Sequence, residues 1–413
     1  MTATSSAVEA VYRIESARII AGTARIVRDV GIAEEIAQDA LVAALEQWPE
    51  DGVPDRPGAW LMATAKHRAI DLVRRRETYA RKLAEAGRAL EDVPPPEPAD
   101  PDGIDDDLLR LIFTSCHPVL STEARVALTL RLLGGLSTDE IARAFLVRES
   151  AVAQRIVRAK RTLGRTGVAF EVPSGPERSA RLGSVLDVIY LIFNEGYAAT
   201  VGDDLLRPAL CEDALRLARQ LAGLMDREPE VHGLVALLEL QASRIRARTG
   251  ADGTPLLLAE QNRARWDRLL IRRGFVALER AHALGGAPGP YSLQAAIAAC
   301  HARAVRWSDT DWPMIAALYD RLEEVAPSPV VELNRAVAVS MAEGPEAGLA
   351  LTDVLMDDPA LSGYHLLPSV RGDLLERLGR GEEARAAFVR ASELTRNARE
   401  RELLLARAEG VPR

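Results

Sequence analysis

LSTDEIARAFLVRESAVAQRIVRAKRTL, residues 136–163, has the layout of two short helices around a tight corner. Ser137 and Glu140 form an S-x-x-E capping box, in which each side chain satisfies a free N–H group at a helix start. Gly134 and Gly135 provide a stop for the helix before it. The pattern predicts three consecutive helices, at about residues 123–133, 138–145 and 150–163.

The last of these helices has two different faces. Its apolar residues recur at spacings of four, three and four, which places them on one buried face: Val152, Ile156, Ala159 and Leu163. The opposite face carries Gln154, Arg158, Arg161 and Arg165, flanked by Arg148 and Arg155. Arginine forks fit phosphate oxygens and the O6/N7 edge of guanine, and a helix fits the major groove. The pattern favours a helix-turn-helix that reads duplex DNA, and the alternative is a helical hairpin with a solvated charged face.

Composition predicts a helix-rich chain of roughly two to four domains. Among its 413 residues aromatics are only 4 %, and no apolar run reaches the length of about 20 residues that a membrane span needs. The N-terminus lacks the basic segment, apolar core and cleavage site of a signal peptide. We therefore expect a soluble, cytoplasmic protein with no membrane partner.

The cysteines predict neither a disulfide framework nor a metal site. Cys116, Cys211 and Cys300 are few and scattered, and the pairs in SCHP and ACHA lack the ligand spacing of structural zinc. No metal and no cofactor are expected.

The net charge of -8 conceals two basic islands. Residues 60–82 contain seven Lys and Arg against two acids, and residues 146–165 contain six against one. Between them, residues 90–107 hold five prolines, eight acids and no base. Prolines and like charges keep such a segment extended, so it is predicted to be a semi-stiff linker between two separately folded units.

The unit before the linker combines an acidic and a basic helix. In residues 32–48 the predicted core face is Ala37, Leu41, Ala44, Leu45 and Trp48, and the predicted exposed residues are Glu34, Glu35, Gln38, Asp39 and Glu46. After a Pro/Gly-rich loop, a second helix is predicted to bury Trp60, Leu61, Ile70, Leu72 and Val73. Its predicted donors are Lys66, His67, Arg68, Arg74, Arg75 and Arg76.

The motifs AEEIAQDAL, PGAWLMATAKHRAIDLVRRR and LSTDEIARAFLVRESAVAQRIVRAKRTL, in this order over residues 8–165, resemble regions 2 and 4 of bacterial RNA polymerase sigma factors of the extracytoplasmic-function (ECF) type. The resemblance implies promoter recognition and transcription initiation, with core RNA polymerase (its beta-prime and beta subunits) and promoter DNA as partners.

The resemblance also assigns site residues. Docking on the beta-prime subunit would use Glu34, Glu35, Gln38, Asp39 and Leu41. The minus-ten element would meet the basic helix and a turn inside it, at Lys66, His67, Arg68, Asp71, Arg74 and Arg75. The minus-thirty-five element would be read by Arg148, Glu149, Ser150, Gln154, Arg155 and Arg158.

The rest of the chain predicts an α-solenoid. Gly344, Glu346 and Ala347 match Gly381, Glu383 and Ala384 at an offset of 37, near the tetratricopeptide (TPR) period of about 34 residues. Motifs such as IYLIFNEGY, TDWPMIAALYDRL and PSPVVELNRAVAV resemble the long ECF subgroup with a C-terminal extension. The expected fold is all-α, with region 2 in residues 1–88, the linker in 89–107, region 4 in 108–168, a helical extension domain in 179–285 and TPR-like repeats in 286–408.

We expect the extension to regulate the sigma regions in cis or to bind a protein, because solenoids offer extended concave surfaces. An enzyme using Glu195, Asp311 and His301 is disfavoured, since no nucleophile and base pair, phosphate loop or metal spacing accompanies them, so no catalytic residue is expected. The remaining alternative is a helix-turn-helix regulator with a sensory solenoid that does not bind polymerase.

Overall fold

The computed structural model of the chain describes residues 3–86, 104–145, 147–199, 206–250 and 254–411. These residues form 18 α-helices joined by turns and short 3-10 segments, and they contain no β-strand. The predicted all-α fold is confirmed. The chain divides into two compact units, residues 1–189 and 190–413.

Three helices open the first unit: α1 (Ala3–Val27), α2 (Val30–Asp51) and α3 (Pro57–Ala86). Asp29 caps α2, because its carboxylate accepts the N–H of Ile32 at 3.0 Å. Both α2 and α3 pack on α1 and on each other. The predicted turn inside the basic helix is absent, because α3 is continuous from Pro57 to Ala86.

Four further helices build the helix-turn-helix region: α4 (Ile104–Ser115), α5 (Thr122–Leu132), α6 (Thr138–Phe145) and α7 (Glu149–Thr166). The last three match the predicted helices to within three residues at each end. The capping box is present, with the N–H of Ser137 donating to Glu140 Oε2 at 2.7 Å and the N–H of Glu140 donating to Ser137 Oγ at 3.1 Å. Gly135 has the positive φ of 70° that ends the preceding helix.

The end of the predicted linker is helical, since residues 104–107 form the first turn of α4. Asp107 is buried, where Arg25 Nε lies 3.3 Å and Arg110 Nη1 2.7 Å from its carboxylate oxygens. Burial raises the pKa of Asp107 despite both cations. The rest of the linker lies outside the described residues.

The two predicted sigma regions are not separate bodies in this structure. Helix α4 packs along α1, and α5 and α7 contact α1 and α2 respectively, all within the first unit. Ion pairs join them, so the linker connects two parts of one compact body.

Helix α8 (Gly175–Tyr197) contains the division between the two units. The second unit continues with α9 (Pro208–Leu224), α10 (Pro229–Ala242), α11 (Arg268–Ala283), α12 (Pro290–Arg303), α13 (Trp312–Val325), α14 (Pro329–Ala342), α15 (Pro345–Leu355), α16 (Leu366–Arg377), α17 (Gly381–Leu394) and α18 (Ala398–Gly410). From α12 onward each helix packs on the next along the chain.

The repeat found in the sequence corresponds to a structural repeat. Helices α14 and α15 begin at Pro329 and Pro345, and α16 and α17 begin at Leu366 and Gly381. A helix pair that recurs after about 37 residues, with contacts to its neighbours, is the arrangement of a TPR-like solenoid. Its core includes Leu374, Leu375 and Phe388.

Candidate nucleic-acid and protein interface

Helix α2 buries a wider face than its sequence pattern predicts. The residues with almost no exposed surface are Ala33, Glu34, Ile36, Ala37, Ala40, Ala43, Ala44 and Trp48. Leu41 is half-buried, and Leu45, which was predicted in the core, is 41 % exposed. Small alanines let α2 approach its neighbours closely, which moves the buried face toward the alanine side and turns Leu45 outward.

Glu34 was predicted to be exposed and is only 3 % exposed. Arg131 Nε of α5 lies 2.6 Å from Glu34 Oε1, and Lys160 of α7 forms an ion pair with the other oxygen. Gln38 Nε2 also donates to Glu34 Oε1 at 3.0 Å. A carboxylate can be buried here because two cations and an amide meet it. Glu34 therefore joins region 2 to region 4 within the first unit.

The surroundings of Glu34 are shielded from water as well. Burial, followed by the negative charge of Glu34, raises the pKa of Tyr12 to about 12. Nearby, a Cβ placed on Gly31 would lie 3.8 Å from Cβ of Lys160, so α2 and α7 are close at backbone level too. The sequence carried one signal of this contact, which is that Glu34 lies beside Ala33 and Ala37 on the apolar stripe.

The exposed face of α2 mixes acids with apolar side chains. Glu35, Asp39, Val42 and Glu46 recur at spacings of four, three and four, which places them in one exposed stripe beside Leu45. Val42 is 51 % exposed. Gln38 is half-buried at the edge of this stripe. Two aliphatic side chains, Val42 and Leu45, are thus exposed among carboxylates on this face.

Helix α3 places most of the predicted minus-ten residues in water. His67, Arg68, Asp71, Arg74 and Arg75 are exposed. Lys66 is half-buried, and its chain passes close to Gly22 of α1. Their DNA-binding role stays a prediction.

The buried side of α3 differs in part from the predicted one. Leu61, Ala65 and Ala69 form the buried stripe, whereas Ile70 is 37 % exposed. These three residues are four positions apart, so Ile70, one position after Ala69, lies outside the buried stripe. Trp60 is half-buried and meets Trp48 edge to face, with ring centroids 5.5 Å apart.

Two of the predicted interface residues touch across helices. Arg68 Nη1 of α3 lies 3.5 Å from Asp39 Oδ2 of α2. Both side chains are exposed, so the pair contributes little to stability. It places one predicted DNA contact and one predicted polymerase contact side by side.

Helix α7 has the two faces that the sequence predicts. Val152, Ile156, Ala159 and Leu163 are at most 5 % exposed. The predicted minus-thirty-five residues Arg148, Glu149, Ser150, Gln154 and Arg158 are exposed, and Arg155 is half-buried. Arg148 is the N-cap residue, so these side chains surround the first turns of the helix. Main-chain N–H groups and cations at a helix start suit a phosphate backbone.

The first turns of α8 are fixed to region 4. Arg181 Nη2 donates to the carbonyl of Phe113 at 3.1 Å, and Ser184 Oγ donates to the carbonyl of Cys116 at 2.7 Å. Arg125 of α5 also hydrogen-bonds Ser184. Arg181 and Ser184 are both buried. Sequence analysis missed these contacts, because nothing in the sequence pairs residues about 68 positions apart.

Structural roles account for the three residues that were considered for catalysis, Glu195, Asp311 and His301. Glu195 forms an ion pair with Arg207, and the carboxylate of Asp311 caps α13 by accepting the N–H of Met314 at 3.0 Å. Burial lowers the pKa of His301 to about 3, and the charges of Arg244 and Arg263 act in the same direction. A neutral imidazole packed 5.2 Å from the ring of Trp312 is a core residue.

The cysteine and membrane findings concern the described residues alone. Cys116, Cys211 and Cys300 are buried free thiols, and burial raises the pKa of Cys116 to about 11 and that of Cys211 to about 12. In the described ranges no three His, Cys, Asp or Glu side chains are grouped to hold a metal ion. No described helix has the length and apolarity to cross a bilayer.

Comparison with protein families agrees with this organisation. Residues 12–79 match the model "Sigma-70 region 2" and residues 110–163 match "Sigma-70, region 4". Residues 181–282, which cover α9, α10, most of α11 and the larger part of α8, match a family of unknown function, DUF6596. Three helical regions in this order define a sigma-type transcription factor with an added helical domain.

Individual proteins are similar to this chain over different lengths. An uncharacterised protein of Rhizobium meliloti is 46 % identical over 381 residues, which covers 91 % of this chain and 89 % of the relative. The ECF RNA polymerase sigma factor SigK of Mycobacterium ulcerans is 29 % identical over 150 residues, 35 % of this chain and 78 % of the relative. SigK of Mycobacterium bovis is 28 % identical over 153 residues, 37 % of this chain and 81 % of the relative.

The chain belongs to the sigma-70 family, as an ECF-type sigma factor with a long helical C-terminal extension. No solved structure matches it.

Proposed function

We propose that this sigma factor binds core RNA polymerase through α2, recognises promoters through α3 and α7, and is regulated in cis by its extension. It would do so in the cytoplasm, where the polymerase and the promoters are. The observation that carries the proposal is the exposed stripe of α2, where Glu35, Asp39, Val42 and Glu46 lie in line.

The stripe supports docking on the beta-prime subunit. Apolar side chains at helical spacing supply contact area, and the carboxylates around them select a basic partner surface. Of the residues assigned by family resemblance, Glu35 and Asp39 lie in this stripe, whereas Gln38 and Leu41 are half-buried. We therefore assign docking to Glu35, Asp39, Val42 and Leu45 rather than to Glu34.

The exposed cations of α3 and α7 support promoter binding. Arg158 and Gln154 can reach base edges in the major groove, where their donors distinguish base pairs. Arg74 and Arg75 on α3 would hold the backbone around the minus-ten element.

The packed first unit requires a change of shape before both elements can be read. The minus-ten and minus-thirty-five elements lie roughly 25 base pairs apart, which is about 85 Å of B-DNA at about 3.4 Å per base pair. Helix α7 itself is about 27 Å long at about 1.5 Å per residue. Because Glu34 of α2 and Lys160 of α7 are in contact, the regions must separate on the polymerase.

The segment between α3 and α4 lets the two regions move apart, and the regions themselves must span the part of the distance that it cannot reach. Residues 87–103, 17 in number, join α3 to α4. A chain of this length spans at most about 60 Å at about 3.5 Å per residue. We infer that the free protein is closed and that binding of core polymerase, through α2, favours the open form.

Cis regulation by the extension is supported by α8, whose first turns lie in the first unit with region 4 and whose last residues lie in the second unit. The domain of unknown function begins at residue 181, and Arg181 and Ser184 donate to carbonyls at the end of α4 and just after it. A perturbation of α8 would therefore reach region 4 directly. A truncation after about residue 170 that transcribes like the full chain would contradict this part of the proposal.

The decisive experiment is reconstitution of the full chain with bacterial core RNA polymerase on fragmented genomic DNA of its host. Discrete start sites that share two upstream boxes are expected. The charge-reversal variant Glu35→Lys, with Asp55→Lys in the loop before α3 as the matched control, should lose core binding and transcription together. A variant that loses neither would favour the helix-turn-helix regulator that acts without polymerase.

A further inference from the structure

The second unit contains a cavity of about 420 Å³ between α11, α12 and α13, beneath the turn of residues 285–288. Its walls are mainly apolar and include Phe275, Leu278, Leu293, Ala296 and Leu318. A volume of roughly 300–1,000 Å³ with apolar walls and few polar groups is usual for a small-molecule site. No side chain of the residues that the structure describes fills this space.

Arg303 lies at the rim of the cavity, where its side chain is exposed. Its Cζ is 5.3 Å from the ring centroid of Phe275, so the guanidinium is held by cation–π contact. No residue of the described ranges forms an ion pair or hydrogen bond with this guanidinium. A planar fork held in place beside an apolar cavity suits a carboxylate, which can accept two parallel N–H bonds.

A negatively charged side chain, Glu279, also lines the cavity and allows a second test of ligand charge. Glu279 lies one helical turn beyond Phe275 and is exposed like Arg303, and among the described residues it forms no ion pair with Arg303. An anionic ligand would be attracted by Arg303 and repelled by Glu279. Substitutions at these two positions should therefore move its affinity in opposite directions.

We propose that this cavity binds a small apolar monocarboxylate, with the apolar body between α11, α12 and α13 and the carboxylate on Arg303. The site lies at the junction between the matched DUF6596 region and the repeats that follow it. The proposal concerns binding alone, so it stands or falls separately from the role in transcription.

The test is calorimetric titration of the full chain with decanoate and, as the uncharged counterpart, 1-decanol. Decanoate should bind, and Arg303→Gln should weaken it about tenfold, the loss expected for one charge-assisted contact. Glu279→Gln should tighten decanoate binding and leave decanol unchanged. Arg272→Gln, the same charge change on the exposed side of α11, is the matched control and should have no effect.

A cavity-filling variant completes the design. Ala296→Trp should abolish binding of both probes, because Ala296 lines the cavity. Several results would overturn the proposal: no binding of decanoate, equal binding of decanoate and decanol, or an Arg303→Gln variant that behaves like Arg272→Gln. If Ala296→Trp does not fold, the opposed effects at Arg303 and Glu279 still decide the matter.

Discussion

Arg131 of α5 holds Glu34 of α2 with 2.6 Å between Nε and Oε1, and Lys160 of α7 reaches the same carboxylate. Region 2 and region 4 of this sigma factor are thus joined by a buried charge. Glu34 lies on α2, the helix that we propose to dock on core polymerase, so the packing of the free chain and the proposed assembly of a holoenzyme involve the same element.

Glu34→Gln should loosen this contact. The substitution leaves Arg131 and Lys160, both half-buried, without their counter-charge, and we expect the first unit to lose about 2 kcal/mol of stability, less than for a fully buried pair because both cations reach water. Urea unfolding of the full chain measures this. Glu35→Gln on the exposed face is the control, and equal midpoints for the two variants would contradict the assignment.

A reversible crosslink between α2 and α7 should switch transcription off. A Cβ on Gly31 would lie 3.8 Å from Cβ of Lys160, which is within the usual Cβ separation for a disulfide. The oxidised Gly31→Cys, Lys160→Cys double variant should fail to initiate at two-element promoters, and reduction should restore it. Both single variants serve as controls, and full activity of the oxidised form would disprove the need for opening.

Arg158→Ala on α7 should weaken promoter binding. If Arg158 contacts the minus-thirty-five element, its loss should cost about 1–3 kcal/mol, or roughly 5- to 150-fold in affinity, and should relax preference at one base pair. Binding to promoter variants at fixed salt measures both effects. Arg265→Ala, an exposed arginine of the second unit, should leave binding unchanged. A uniform loss over all sequences would instead assign Arg158 to the phosphate backbone.

The second unit should lose stability in mild acid because of His301. Its folded pKa is about 3 and its unfolded pKa is about 6.5, so the unfolded chain binds the extra proton between these values. Stability is therefore complete above about pH 6.5 and falls by up to about 1.4 kcal/mol per unit as the pH drops toward 3. Urea midpoints at pH 7 and pH 5 test this, and the difference should shrink in His301→Gln.

Gly348→Ala should destabilise the solenoid. A Cβ there would lie 2.5 Å from Cβ of Ser340 and 2.8 Å from the carbonyl oxygen of Ala336, both on the neighbouring helix α14. Overpacking of this kind costs about 1–3 kcal/mol. Gly223→Ala in α9 is the matched control, because nothing lies within 4 Å of its added Cβ. Thermal unfolding should separate the two variants by several degrees.

The local parts of the fold could be predicted from the sequence because their causes are local. The capping box at Ser137, the four-three-four spacing on α7 and the repeat offset of 37 each act over one or two turns or one repeat. The same is true of the exposed residues on α7, since helical periodicity fixes a face without reference to the rest of the chain.

The misassigned residues are those whose surroundings come from distant segments. Glu34 was assigned to solvent by its charge, but Arg131, 97 positions later, lies against it. Leu45 and Ile70 were assigned to the core by their hydrophobicity and are exposed, which is consistent with a partner surface and a crowded alanine face. The attachment of Arg181 to the carbonyl of Phe113 is likewise a tertiary contact with no local pattern.

The ion pair at Glu34 stabilises the free protein but opposes the separation of α2 and α7 that we propose for transcription. If the two regions separate on the polymerase as we propose, any substitution that tightens α2 on α7 would raise the melting temperature of the free chain, make the open form rarer and slow the formation of productive holoenzyme. A variant library selected for thermal stability would then be enriched in variants that initiate transcription poorly. Selection for transcription activity would instead favour variants with lower melting temperatures.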